Sequence, residues 1–277
     1  MPTNVDRNYR QQVEETSSAL PDLPETVESH IEHERARYDA QFGKRRENEN
    51  LLVKYGTEFA PNDLRAAMLY SFDQLGDLRG KRVLEIGGGT GWHAIMLIHR
   101  GAYVVTTDVS PVGVEVARER LIVNGMEQQG EAEVVAAEKM PFENESFDAV
   151  YGVAVLHHLD LPHAIPAIHR VLKPGGRAVF LEPLSENPLL DFVRDYVPYP
   201  SKKSPFGHRG LKHATIDEAA RSFRLTETRR FYLTSMANRL ISQQTSITPL
   251  EKLDELLIAR FPKLHRYCRT AVVTFEK

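Results

Sequence analysis

The stretch Val83-Leu84-Glu85-Ile86-Gly87-Gly88-Gly89-Thr90-Gly91-Trp92-His93-Ala94 constrains this chain more than any other. An apolar run of strand length leads directly into glycines and then into a helical pattern. Glycines serve where a chain turns sharply and where a ligand must approach the backbone closely. A helix that starts immediately afterwards presents free N–H groups, which suit the polar or anionic part of a ligand. The spacing also excludes. In the dinucleotide fingerprint G-x-G-x-x-G the third glycine falls where this chain has Trp92. No G-x-x-x-x-G-K-[ST] occurs, which argues against nucleoside triphosphate hydrolysis.

From this loop onward, apolar runs of strand length alternate with helical stretches. Strands are expected at 82–86, 103–107, 132–136, 147–152 and 177–181, and further ones at 226–233 and 268–275. Helical segments fall at 94–99, 113–123 and 161–172. Strand and helix in alternation predict an α/β, doubly wound sheet with helices on both faces. Before it, residues 1–30 are polar and acidic and read as an arm. A helix is expected from Pro24 through Phe42, with Ile31, Tyr38 and Phe42 as a sparse apolar stripe, and another at 63–75 with Leu64, Met68, Leu69 and Phe72. Residues 236–265 read as mainly helical, with Leu253, Leu256, Leu257 and Phe261 on one stripe. The resulting organisation is 1–79 as arm and lid helices, 80–183 as ligand-binding core, 184–225 as a cap insertion, and 226–277 completing the sheet.

Asp108 ends the second strand, in Val104-Val105-Thr106-Thr107-Asp108. A carboxylate at that place can accept both ribose hydroxyls of a bound nucleoside. Three more blocks follow in order: Ala137-Glu138-Lys139-Met140-Pro141-Phe142, Ser146-Phe147-Asp148-Ala149-Val150, and Arg170-Val171-Leu172-Lys173-Pro174-Gly175-Gly176-Arg177. With these the chain resembles the class I S-adenosylmethionine-dependent methyltransferases, in the small-molecule branch related to the ubiquinone and menaquinone C-methylating enzymes. The likeness covers about residues 80–183. It implies a Rossmann-like, seven-stranded, mostly parallel sheet with N-terminal helices and a cap, and S-adenosyl-L-methionine as cofactor. It further implies Glu85 and Gly87 near the methionine part, with Gly89 and Gly91 completing the loop. Asp108 would take the ribose, and Ala137 and Glu138 would frame the adenine. One departure is Ala136, where relatives often carry Asp, so no adenine contact is expected from that position. Glu34-Arg35-Ala36-Arg37-Tyr38-Asp39 resembles the N-terminal helix that lids the cofactor in many small-molecule methyltransferases, with Tyr38 and Tyr55 as candidates to close over the sulfonium.

Methyl transfer needs alignment of a nucleophile with the sulfonium carbon, and an oxygen nucleophile must also lose a proton. Val155-Leu156-His157-His158-Leu159-Asp160 follows the fourth strand, at the carboxyl edge where such sheets bind ligands. The imidazoles either order this loop or supply a general base, with His158 the first candidate and His157 the second. The [DNS]-P-P-[YF] turn of base-directed amino methyltransferases is absent, so no nucleic-acid substrate is expected. No H-E-x-x-H or similar cluster occurs, so no metal is expected.

The reading is therefore a methyltransferase acting on a small molecule, most readily at oxygen. Carbon or nitrogen methylation, or a non-catalytic protein that binds S-adenosylmethionine, are the alternatives. Charge bears on the acceptor. The whole chain is at −3, yet residues 184–277 carry 16 Lys and Arg against 10 Asp and Glu. Lys202, Lys203, His208, Arg209, Lys212 and His213 gather in the cap insertion, as a solvated face or as a basic lid for an anionic acceptor. Cys268 is the single cysteine, so no intrachain disulfide can form. No run approaches the ~18 apolar residues of a membrane span, and a cytoplasmic protein without membrane contact is expected.

Overall fold

The computed structural model describes residues 23–46, 50–53, 65–185, 187, 210–234 and 248–277. The residue 1–22 part of the expected arm, Tyr55, Leu64, and Lys202, Lys203, His208 and Arg209 of the basic insertion lie outside the described residues. In chain order the elements are α1 (Glu25–Arg46), α2 (Arg65–Gln74), β1 (Arg82–Ile86), α3 (Trp92–Ile98), β2 (Tyr103–Asp108), α4 (Pro111–Val123), β3 (Gly130–Val134) and β4 (Phe147–Val153). After a 3-10 turn at Leu156–His158 come α5 (Leu161–Val171), β5 (Leu172–Pro183), α6 (His213–Ala220), β6 (Leu225–Phe231), α7 (Thr248–Arg260), a second 3-10 turn at Pro262–Tyr267, and β7 (Thr270–Glu276).

The strands form one seven-stranded sheet in the order β3-β2-β1-β4-β5-β7-β6. All pairings from β3 to β5 are parallel, whereas β7 runs antiparallel between β5 and β6. Parallel strands covered on both faces should be largely apolar, and β1 is buried accordingly: Val83, Leu84 and Ile86 are core residues, and Glu85 is the one buried charged exception. Side chains alternate between two cores. Val83, Tyr151, Val179 and Val272 join the core under α2 and α3, with Phe72 and Ile95. Leu84, Val150, Phe180 and Val273 join the opposite core, with Ile165 and Ile168 of α5 and Ile216 of α6. The order of strands reverses direction at β1 and β4, so a crevice opens beyond their carboxyl ends.

Where bounds differ from the sequence expectation, pairing or backbone accounts for it. β3 starts two residues early because Gly130 to Val134 pair with Val104 to Asp108; β2 ends there, and beyond it the Val135 N–H donates to the Asp108 carbonyl (3.1 Å) as the chain leaves the sheet. β5 begins at Leu172 because that residue pairs with Phe147 before a bulge restores register at Arg177 opposite Ala149. β6 stops at Phe231 because Tyr232 turns left-handed (φ 64), and Asp254 then accepts the Leu233 and Thr234 N–H groups. Along the expected stripe, Leu253 and Leu256 of α7 and Phe261 just after it are exposed, and among the described residues of that helix Asp254 is buried.

Candidate functional site

A cavity of about 370 Å³ lies at the carboxyl ends of β1, β2 and β4, roofed by α1. Its size is at the lower end of the range for small-molecule sites, about 300–1,000 Å³. The glycine loop forms its floor. Gly89 is left-handed (φ 55) and donates its N–H to Asp108 Oδ2 at 2.9 Å. Gly88 must be glycine because a Cβ there would lie 2.0 Å from Thr106 Oγ1 and 2.8 Å from Glu85 Oε2. Gly87, Gly88 and Gly89 face the cavity; Gly91 does not, and allows the loop to pack on Ala117 of α4 instead.

Asp108 lines the cavity, with Oδ1 accepting the Ser110 N–H (2.9 Å). Burial pushes its carboxyl up to about 6, against the lowering effect of its two backbone hydrogen bonds. Ala137 and Glu138 line the far wall. Glu138 Oε1 accepts the Asp160 N–H at 2.9 Å, while Oε2 is buried with no hydrogen-bond partner among the described residues. Burial raises the Glu138 pKa. An orphaned buried oxygen facing a cavity is the mark of a place prepared for a polar ligand. Glu85 lies behind the loop rather than in the wall. Its Oε2 accepts Thr106 Oγ–H (2.6 Å) and Oε1 is 3.4 Å from His93 Nδ1, so it braces the loop from beneath.

The two candidate histidines are separated by the turn that carries them. Ala154 adopts a left-handed backbone (φ 52), which costs a non-glycine residue roughly 1–2 kcal/mol. The chain then bends so that the Val155 and Leu156 N–H groups both donate to Glu182 Oε1 at 2.8 Å. The other oxygen of this fully buried carboxylate accepts from His157 Nδ1 at 2.7 Å. His157 thereby braces the turn and is not in the cavity wall; His158 is. Burial lowers the His158 pKa, with Glu34 opposing that shift.

Helix α1 supplies the roof. Its cavity residues His30, Glu34, Tyr38 and Phe42 recur every fourth position, which places them on one face. His30 Nε2 donates to the His158 carbonyl (2.7 Å), and Tyr38 Oη is 3.0 Å from His158 Nε2. Burial pushes the Tyr38 hydroxyl up to about 12. Arg35 Nε donates to the Val109 carbonyl (3.1 Å), Asp39 accepts from Ser110 Oγ and from the Val112 N–H, and Arg46 pairs with Glu115 and Glu119 of α4. These contacts hold α1 across the cavity. Sequence reasoning placed Glu34 and Tyr38 in a lid helix but gave a site role to Tyr38 alone, and it did not name His30. The four-residue spacing was visible, but polar residues at that spacing ordinarily mark a solvated face.

Residues 84–180 match the family model described as a methyltransferase domain. A ubiquinone/menaquinone biosynthesis C-methyltransferase of Brucella anthropi is 39% identical over 119 residues, 40% of this chain and 44% of that protein. An uncharacterized methyltransferase of Mycobacterium bovis is 37% identical over 107 residues, 39% of this chain and 42% of that protein. The chain thus spans less than half the length of these relatives. Among solved structures, geranyl diphosphate C-methyltransferase from Streptomyces coelicolor covers 93% of this chain and 99% of its own at TM-score 0.59 and 14% identity. An S-adenosylmethionine-dependent methyltransferase from Mesorhizobium loti covers 78% of this chain and 100% of its own at TM-score 0.55 and 20% identity. At those identities the likeness is one of fold.

Proposed function

We propose that this chain, whose residues 84–180 match a methyltransferase-domain family model, is a class I S-adenosylmethionine-dependent methyltransferase that moves a methyl group to a hydroxyl of a small molecule, with His158 as general base. The observation that carries this reading is His158 Nε2, the ring nitrogen beside Tyr38 Oη in a cavity floored by the glycine loop. Burial lowers the His158 pKa, so the ring is unprotonated at neutral pH and able to take a proton.

The cavity fits the cofactor by chemistry. Asp108 would hold the ribose hydroxyls, Glu138 Oε2 supplies an unused buried acceptor for the adenine end, and the glycine loop leaves room for the amino-acid part. When bound, S-adenosylmethionine supplies a methyl carbon on a positively charged sulfur. Tyr38, stacked on Phe42 with ring centroids 5.6 Å apart, closes this end of the cavity and excludes water from it. His158 removes the acceptor proton as the oxygen–carbon bond forms. Gly91, Glu85 and His157 support this arrangement from outside the wall.

The acceptor's reacting end is uncharged in this proposal. Glu34, Asp108 and Glu138 line the cavity, and among the described residues no Lys or Arg lines it. An anionic group on the acceptor would be met by cations outside this lining; of the basic insertion, the described residues are Lys212, which caps α6, and His213, its first residue. A second reading is favoured by the C-methyltransferase relative. The same base would deprotonate a ring hydroxyl and leave a ring carbon as nucleophile. Incubating the protein with methyl-13C S-adenosylmethionine and fractionated small-molecule extracts tests both. A new carbon signal in the methoxy range supports the oxygen reading, and a C-methyl signal supports the second. Tight cofactor binding with no transfer to any fraction would leave a non-catalytic binding protein.

A further inference from the structure

We propose that Glu34 is a positioning residue that sets the protonation state of His158, so that α1 completes the base as well as covering the site. Glu34 is buried (4% exposed) on the α1 face turned to the cavity, and its Oε2 is 3.3 Å from His158 Nδ1. A carboxylate only accepts hydrogen bonds, so it favours the tautomer with the proton on Nδ1. Nε2 then carries the lone pair, and Tyr38 must be the donor across their 3.0 Å contact. The high Tyr38 pKa, raised by burial, keeps that hydroxyl protonated and fit to donate. The opposite tautomer would point N–H at Tyr38 and leave no base on the cavity side.

This inference rests on His158 being the base. Tyr38 Oη then marks where an acceptor hydroxyl engages Nε2. The acceptor O–H bond breaks toward Nε2, the oxygen–methyl bond forms, and the sulfur–methyl bond breaks to leave a neutral thioether. The imidazolium left behind is balanced by Glu34, whose charge Arg37 secures at 3.2 Å. The groups facing His158 are Glu34, Arg37, Tyr38 and His30 from α1, and His157 from its own turn with ring centroids 4.0 Å away. The Glu182 carboxylate from β5 is already taken up by His157 and the turn, so among the described residues Glu34 is the carboxylate that the geometry sets beside the His158 ring.

Long-range proton–nitrogen correlation spectra of protein labelled with 15N-histidine read the tautomer and the titration midpoint directly, without an acceptor. His158→Gln identifies the signal. The wild type should show the Nδ1–H tautomer. Glu34→Gln should lower the His158 midpoint by about 1 unit, as expected on losing a neighbouring opposite charge, and should shift the tautomer toward Nε2–H. S-adenosylhomocysteine affinity of Glu34→Gln, kept within about twofold of wild type (less than ~0.5 kcal/mol), reports an intact fold. Tyr38→Phe guards against a misfolded Glu34 variant. It should leave the Nδ1–H tautomer in place, because Tyr38 answers to the tautomer rather than setting it. An Nε2–H tautomer in the wild type, or an unchanged midpoint and tautomer in a folded Glu34→Gln, would overturn the proposal. Full turnover by His158→Ala would remove the base reading instead, and the spectra keep the two failures apart.

Discussion

Replacing Asp108 by Asn separates what this residue does for the fold from what it does for a ligand. Its oxygens accept the Gly89 and Ser110 N–H groups, both at 2.9 Å. Burial outweighs them and raises the carboxyl from 3.8 to about 6. A rise of about 2 units makes the ionised form about 3 kcal/mol less favourable in the folded chain than in the unfolded one. Between about pH 4 and 6 the folded state therefore holds more protons than the unfolded state. Stability falls as pH climbs through that window and then levels off. Asn has no charge to bury, but its amide turns a donor toward one of the two N–H groups and leaves it unmet, about 1–3 kcal/mol. At neutral pH the two terms are of similar size, so Asp108→Asn should unfold within about 1 kcal/mol of wild type. Ligand binding should respond quite differently. Loss of charge-assisted hydrogen bonds to the ribose removes about 1.5–3 kcal/mol, which is about 10- to 150-fold in affinity for S-adenosylhomocysteine. Since the carboxylate is the binding form, wild-type affinity should also weaken below about pH 6, roughly tenfold by pH 5, and Asp108→Asn should be flat there. Calorimetric titration across that range, beside chemical denaturation of the free proteins, gives both quantities. Unchanged affinity in the variant, or a flat wild-type profile, would refute the ribose assignment.

His158→Ala should lower turnover by ~10²–10⁴ while cofactor affinity stays near wild type; full activity in His158→Ala and in its double variant with His157→Ala would eliminate both as bases. Gly88→Ala should cost about 1–3 kcal/mol through its clash with Thr106 and Glu85, whereas Gly43→Ala in α1, with nothing within 4 Å of the new Cβ, should be neutral or stabilising; equal denaturation midpoints for the two would contradict the packing argument. Arg120 is buried and donates to the carbonyls of Thr90, Asn50 and Leu51, so Arg120→Leu should destabilise by about 3 kcal/mol in the same assay. Once an acceptor is known, neutralising Lys202, Lys203 and Arg209 together should raise its KM and flatten its salt dependence; wild-type kinetics at low salt would make the insertion a solvated surface.

The sequence alone determined the class of fold and the floor of the site. β1 and the glycine loop were legible because a strand buried on both faces must be apolar, and a backbone that brings Gly88 against Thr106 admits no side chain. Asp108 was legible because it ends β2 at the carboxyl edge of the sheet, and Ala137 and Glu138 through the resemblance carried by residues 137–142. The roof and the division between the histidines were decided by tertiary structure. Nothing local separates His157 from His158. Glu182, 25 residues away on β5, captures one ring, and Tyr38, 120 residues away on α1, meets the other. His30 and Glu34 read as ordinary polar helix residues until α1 is anchored over the sheet by Arg35, Asp39 and Arg46. The surroundings of α7 were not legible for the same reason. Periodicity shows that a helix has an apolar face, but which face is covered depends on what the rest of the chain brings to it, and here Asp254 faces β6 because the strand's end leaves two N–H groups needing an acceptor.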